Sequence, residues 1–436
     1  MTICAEGRSR ARNDQCWQVS VRASACLAIA VSLVCPPAAP ARAQGADQPA
    51  AAAKPAPAAE VTQVRLVYLR EERERLPPLS LLSFPPDDDG IAGAQLGIDD
   101  NETTGRFLKQ SFSLDVASSP KREDLIKDAL AAADSGIGFF IVDASADTLL
   151  ALSDALKDKN AVLFNAGARD ERLREEDCRL NIKHTSASYT MLTDALAQYL
   201  AWKRWGKTVL IKGPTPQDEQ YAAALRRSMA RFGLKILTEK TFEYAPGSRR
   251  SDGGFEQVQQ QIPSFTQDLP DHDVLLVADE VAQFGDYFPY RTWTPRPVAG
   301  THGLYPTTWH PASELWGATQ FQNRFRRKSE RTMRPLDYAA WMAVRSIGEA
   351  ATRTKSGDPK ILIDYMLSDK FELAAFKGQK LTYRPWNAQI RQPIFVAAAP
   401  LHISVSPQQG FLHQVTPLDT LGVDKPESKC RAFDGK

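Results

Sequence analysis

From residue 61 onward two apolar patterns alternate along the chain. Continuous apolar runs at 64–69, 107–114, 138–142 and 161–165 are separated by stretches at 90–99, 122–133 and 146–157 whose apolar positions recur with the helical period. Runs such as GFFIV and AVLFN show no polar alternation, the mark of a strand covered on both faces. The pattern predicts a parallel sheet wrapped in helices. A second copy follows, with strands at 208–212, 235–242 and 273–279 and helices at 217–232 and around 257–262. Two tandem α/β units, each of about 120 residues, predict an α/β fold of two lobes with a cleft between them.

Ahead of this region the pattern changes twice. Residues 44–60, QGADQPAAAAKPAPAAE, hold too little apolar surface to build a core and read as a disordered linker. Before them, Arg8, Arg10, Arg12 and Arg22 precede a 13-residue, largely apolar stretch at 23–35, and Ala41-x-Ala43 offers a small-residue cleavage site. Thirteen residues cannot span a bilayer, so residues 1–43 read as a cleavable signal peptide of an exported protein. Val34 is too bulky to precede a lipidated Cys35.

Export changes the meaning of charge and cysteine content. Loss of residues 1–43 removes five arginines and two acids, moving the formal charge from +2 to −1. Such a chain carries no nucleic-acid footprint. Four of six cysteines leave with the signal, and the remaining Cys178 and Cys430 most simply form one disulfide, anchoring an irregular tail from residue 400. Two unpaired buried thiols are the alternative. No C-x-x-C or paired histidine spacing suggests zinc.

The stretch GIAGAQLGIDDNETTGRFLKQSFSLD, residues 90–115, tests a metal reading directly. A calcium loop starting at Asp100 would place Gly105 correctly at the sixth position, but the twelfth, which needs a bidentate carboxylate, is Ser111. The stretch therefore reads as a helix C-terminus turning through Asn101 and Gly105 into a strand at 107–114. His310 and Glu314 share a helical spacing, yet Pro311 places His310 before a helix start rather than within it. Metal ligation is not expected at either place. Enzyme motifs fare no better. Trp205 to Thr208 (WGKT) has Ala201 where a phosphate loop needs its first glycine, and neither G-x-S-x-G nor a strand-following G-x-G-x-x-G occurs.

These stretches also carry a resemblance. GAQLGIDDNETTGRFLKQSFSLD resembles the first βαβ unit of the type I periplasmic solute-binding proteins, the Leu/Ile/Val-binding family, and NIKHTSASYTMLTDALAQYLAWKRWGKTVLI with DEQYAAALRRSMARFGLKI is similar to that family's crossover and second lobe. ADEVAQFGDYFPYRTW, THGLYPTTWHPASELWGATQFQNRF, RPWNAQIRQPIF and GFLHQVTPLDTLG resemble the subgroup associated with pyrroloquinoline-quinone-dependent alcohol dehydrogenase systems. The resemblance implies a periplasmic binding protein of an ABC transporter. It would be monomeric and without a cofactor, would close around a small-molecule ligand and would deliver it to a membrane permease. The alternative is a sensing or docking subunit without transport, for which the aromatic-rich stretch 284–316 is the best support; a secreted enzyme is a lesser one. Lobe one is expected at 61–185, completed by about 311–353, and lobe two at 186–310, completed by about 354–399, with the tail at 400–436.

The resemblance also implies site residues. Ala144 and Ser145 in DASA, and Asn165, Ala166 and Gly167 in NAGA, match loops that take the ligand's carboxylate, although Ser145 also suits an ordinary helix cap. Tyr221 matches a ligand-contacting tyrosine, with plain packing as its alternative. His302 stands where the family's acidic residue meets an amino group, which puts an amino-acid ligand in doubt. Asp279 or Glu280 could replace that acid, or could form a solvated loop edge. Trp309, with His310, is expected to line the cleft or hinge. Ser145, Asn165, Tyr221 and His302 are expected to face one another.

Overall fold

The computed structural model describes residues 61–74, 84–244 and 258–435. The chain divides into Met1–Ala58 and Ala59–Lys436, and every described residue belongs to the second unit. The signal peptide and linker expected at 1–43 and 44–60 lie outside the described residues.

Lobe one is built from β1 (Thr62–Glu71), α1 (Ile91–Leu108), β2 (Gln110–Ser119), α2 (Arg122–Asp134), β3 (Phe139–Asp143), α3 (Ala146–Ala155), β4 (Val162–Asn165) and β5 (Ile182–His184). Its strands run parallel in the order β2-β1-β3-β4-β5. Lobe two follows with α4 (Tyr189–Trp202), β6 (Lys207–Lys212), α5 (Pro216–Arg231), β7 (Lys235–Thr241), α6 (Val258–Thr266), β8 (Val274–Ala278), α7 (Phe288–Arg291) and β9 (Val298–Gly300), and its parallel order is β7-β6-β8-β9. Every residue of β3 and of β8 is buried, as unbroken apolar runs require of strands covered on both faces. Two parallel sheets flanked by helices are the fold class expected from the apolar periodicity.

The seam expected at Asn101 and Gly105 is displaced. α1 continues through both residues and ends at Lys109, whose left-handed φ of 56° lets the chain turn directly into β2 at Gln110. The cause is α9 (Pro335–Thr354), which lies against α1. Asn101 is buried, donates through Nδ2 to Val344 O at 2.9 Å and accepts from Arg345. Gly97 makes the approach possible, since a Cβ there would sit 2.8 Å from the Val344 side chain. Asp99 pairs with Lys328, while Asp100 pairs with Arg324 and accepts Trp341 Nε1 at 2.9 Å. The amide that reads as a helix stop belongs to the packing face for α9, while Gly105 is approached by β2, where a Cβ would sit 2.7 Å from Gln110 O.

The C-terminal third returns to both lobes. β10 (Tyr305–Thr307) leads to α8 (Ala318–Ser329) and α9, whose Phe321, Tyr338 and Trp341 join the core cluster that contains β1. The stretch expected to complete lobe two at 354–399 divides instead. α10 (Pro359–Met366), β11 (Leu373–Ala374), β12 (Lys380–Tyr383) and β13 (Ile390–Arg391) place Leu362, Met366, Phe371, Leu381 and Ile390 in that same lobe-one cluster. β14 (Ile394–Ala398) sends Ile394 and Val396 toward α4 and lobe two, and pairs antiparallel with β10 and with β15 (Leu401–Ser406). Aliphatic content alone does not distinguish the two destinations. Cys178 and Cys430 are joined. Among the described residues, no helix is long and apolar enough to cross a membrane.

Candidate functional site

In parallel α/β sheets the carboxyl ends of strands and the following helix N-termini present the groups that meet a ligand. In lobe one those ends carry Glu71, the turn at Asp143–Ser145 and the loop that follows Asn165. In lobe two they carry the turn before α5, the Asp279–Glu280 loop and the Thr301–His302 loop.

Two charged groups meet across the lobes. Arg169, just beyond β4, donates through Nη1 to Glu280 Oε1 at 2.9 Å, and Glu280 lies just beyond β8. The Tyr189 side chain also hydrogen-bonds Glu280, and burial holds that carboxyl above its ordinary range despite Arg169 and Tyr189. Arg174, fully buried, holds the Arg169 loop by donating to Ala168 O at 3.1 Å, Asp170 O at 3.0 Å and Ser186 O at 3.0 Å. Beside this pair lies a cavity of about 350 Å³ lined by Asp170, Glu171 and Arg172 from lobe one and by Tyr189, Thr190, Gln220 and Arg227 from lobe two.

Tyr221 projects from the first turns of α5 into the same neighbourhood. It is 2% exposed, its ring meets Tyr189 edge-on at 5.8 Å, and its hydroxyl has no hydrogen-bond partner. A buried orphan hydroxyl is costly unless a ligand or water completes it. Tyr221→Phe is therefore expected to leave the unfolding midpoint unchanged or slightly raised, while weakening a ligand that completes the hydroxyl by roughly 0.5–1.5 kcal/mol. Denaturant unfolding and calorimetry on the same preparation separate the two effects; a tyrosine that only packs would change neither.

The remaining expected residues serve other ends. Asn165 is fully buried, donates to Ala168 O at 2.8 Å, accepts Ala168 N at 2.9 Å and lies 3.1 Å from His184 Nδ1. Its amide shapes its own loop. Ala144 and Ala166 are buried in lobe one, and Gly167 packs on Asp143. Ser145 caps α3, with Oγ accepting Thr148 N at 3.4 Å. Asp279 accepts the amides of Gln283, Phe284 and Gly285 at 2.6–2.8 Å, which leaves Glu280 as the acid that meets lobe one. His302 packs over Gly285, with Nδ1 at 2.9 Å from Thr301 Oγ1 and Nε2 at 3.6 Å from Asp286, all within lobe two. Trp309 is not a cleft residue. It stacks on Tyr338 at 4.8 Å and donates through Nε1 to Gln322 in the core built on β1. His310 accepts Ala312 N at 3.2 Å, and burial lowers its pKa.

Arg169 and Tyr189 were not singled out by the sequence. The signal available for Arg169 was its place immediately after a small-residue loop at a strand's carboxyl end.

Asp89, one residue before the Gly90 cap of α1, is 5% exposed and accepts Arg334 Nε at 3.0 Å through Oδ2, while Oδ1 has no partner. Burial pushes its carboxyl up to about 6, with Arg334 opposing and Asp337 reinforcing. A carboxyl that holds its proton more tightly when folded contributes stability that is fully present below its unfolded value near 4 and is lost as pH rises through about 6. Between pH 4 and 7 that loss is on the order of 2–3 kcal/mol. Asp89→Asn is expected to flatten the stability profile by that amount, and an unaltered profile from urea unfolding at several pH values would refute the assignment.

No protein-family model matches the sequence, and no curated protein matches it significantly. Solved structures do share its fold. A branched-chain amino acid ABC transporter periplasmic ligand-binding protein from Burkholderia xenovorans LB400 is 16% identical, with a TM-score of 0.65 over 85% of this chain and 100% of that one. The leucine-, isoleucine-, valine-, threonine- and alanine-binding protein from Brucella ovis, in a closed conformation, is 13% identical with a TM-score of 0.61, over 85% and 98% of the two chains. A solute-binding protein of an ABC transporter from R. palustris, in complex with benzoate, is 10% identical with a TM-score of 0.60, over 85% and 99%. The fold is that of the two-lobed periplasmic binding proteins.

Proposed function

We propose that the chain captures a small organic solute between its lobes and presents it to the membrane permease of an ABC transporter. The observation that carries this reading is the convergence of Arg169 from lobe one with Glu280 and the unpartnered Tyr221 hydroxyl from lobe two. A solute that completes these groups only when the lobes are together biases the open–closed equilibrium by its extra affinity for the closed form. The likeness to transport binding proteins supports this role over an enzymatic one. The reading includes export to the periplasm, action as a monomer and no cofactor. On sequence resemblance alone, we also place the chain with the subgroup tied to pyrroloquinoline-quinone-dependent alcohol oxidation.

Mass spectrometry of small molecules released from the natively purified protein tests the reading. One defined solute, lost from a preparation carrying Tyr221→Phe and Arg169→Ala, is the expected result. Preparations with no solute, and no heat on titration with a broad solute panel, would sink it. The C-terminal tail favours a second reading, a sensing or docking subunit without transport. That tail contacts lobe one through Cys178 and Glu175 and lobe two through Asp194, Arg227 and Arg231, and so links the two bodies that a transport protein must separate.

A further inference from the structure

The cavity beside Arg169 is not bounded by the two lobes alone. A second cavity, of about 300 Å³, shares Glu171, Arg172, Thr190 and Arg227 with it, and its further wall includes Val423, Glu427 and Lys429 of the C-terminal tail. The tail is fastened to both lobes along this wall. On lobe two, Asp194 accepts Gly422 N at 2.8 Å, Arg231 donates to Gly422 O at 2.7 Å, and Leu421 packs with Met191 and Ala195 of α4. On lobe one, Glu175 accepts Lys429 N at 2.6 Å, and Cys430 is bonded to Cys178. Between these attachments Glu427 accepts Arg227 Nη2 at 2.8 Å, and Arg227 lines both cavities.

The spacing of the attachments sets a limit. Glu427 and Lys429 are two residue steps apart, and an extended chain covers only about 7 Å in two steps. While both hold, Arg227 of lobe two and Glu175 of lobe one are kept together through them. The Arg227–Glu427 pair is partly exposed, so salt and water weaken it. Once it breaks, the nearest attachment on lobe two is Gly422, seven steps from Lys429, and the reach rises to about 25 Å. The Cys178–Cys430 bond, which salt does not touch, then holds the far end.

We propose that residues 422–430 form a two-stage strap across the inter-lobe cavity, with Arg227–Glu427 as a breakable catch and Cys178–Cys430 as a covalent stop, and that the strap sets how far the cavity widens for a solute to enter or leave. What passes the strap rests on the solute-binding reading above; the widening itself is measured without any solute.

Pulsed electron paramagnetic resonance reads it, between spin-labelled side chains introduced without thiol chemistry in place of Glu176 and Gln220, which are exposed and line the two cavities from opposite lobes. Arg169→Ala is the reference protein, so that the direct pair with Glu280 does not itself hold the lobes. At low salt the reference should give one bounded distance. Adding Glu427→Ala, or raising salt to about 1 M, should add a population more than about 7 Å longer, beyond the reach of the two-step link. Adding Cys178→Ser and Cys430→Ser to Glu427→Ala should move that population further outward. If the cysteine variant does not fold, Glu427→Ala and the salt titration decide. Coincident distances with and without Glu427→Ala, or a long population already present at low salt with the catch intact, overturn the strap and leave solute binding standing. Equal distances in Glu427→Ala with and without the bridge overturn the covalent stop. Absence of any co-purifying or titratable solute would remove the solute-binding reading without altering these distances.

Discussion

Asp419→Ala is expected to cost about 3–5 kcal/mol of folding stability, among the largest losses available to a single substitution in this chain. Asp419 is 1% exposed and is the one carboxylate shared by two buried guanidinium groups. Arg384 Nε reaches its Oδ1 at 3.0 Å, and Arg391 Nε reaches Oδ1 and Oδ2 at 2.9 and 3.1 Å. The arginines are held in place by other acceptors as well. Arg384 donates to Leu421 O at 2.6 Å and Arg391 to Tyr383 O at 2.8 Å, and both stack near Trp386. They cannot swing to water without breaking those bonds. Removing the carboxylate would strand two positive charges, a far larger penalty than the loss of one exposed ion pair. Asp419→Asn keeps the shape but not the charge and should fall between parent and alanine variant. Chemical denaturation at neutral pH measures the series, and an alanine variant within about 1 kcal/mol of the parent would show that water reaches the pair.

What the sequence showed of the fold follows from what burial does to residue choice. A strand covered on both faces must be apolar throughout, so β3, β4, β6 and β8 were visible without any knowledge of their neighbours. The end of α1 was not visible, because Asn101 has the same local preferences whether it stops a helix or meets a second one. Only α9, more than 200 residues away in sequence, decides between the two. The route of 354–399 was hidden for a similar reason, as Leu362 and Val396 are equally apolar yet enter different cores.

The candidate site divides along the same line. The sequence pointed to the strand carboxyl ends and to Tyr221, and both enter the candidate site as a proposal. Which polar side chain at each loop is free to act was not legible. Asp279 and Glu280 are adjacent acids, but three backbone amides converge on the first while the second is left to meet Arg169. Asn165 looks like an exposed loop amide and is instead the bracket of its own turn. Trp309 belongs to an aromatic-dense segment that composition could assign to a cleft, yet its ring is needed to fill the space between Tyr338 and Phe321.

Reduction of the Cys178–Cys430 bridge is expected to lower stability by as much as about 5 kcal/mol, because the two cysteines are 252 residues apart and the bridge closes most of the described chain into a loop. That figure comes from the unfolded chain's lost freedom and is an upper value, since a compact unfolded state has less freedom to lose. The folded side of the balance predicts where the effect appears first. Beyond residue 423 the tail is held to lobe one by the bridge, by Glu175 accepting Lys429 N at 2.6 Å, and by Phe433 packing near Cys178, and to lobe two only by the solvent-screened Arg227–Glu427 pair at 2.8 Å. The segment before it has independent anchors, with Asp194 accepting Gly422 N at 2.8 Å, Arg231 donating to Gly422 O at 2.7 Å, and the Asp419 pair. Reduction should therefore expose 424–435 to proteases while 417–423 remains protected, and only then lower the global midpoint. Native-state proteolysis followed by mass spectrometry, alongside urea unfolding with and without reductant, checks both steps. Equal urea midpoints for the oxidised and reduced proteins would mean that the bridge does not constrain the unfolded chain. Simultaneous loss of 417–423 and 424–435 would mean that the tail is one cooperative strap, tied to lobe one by its end and released from both lobes together.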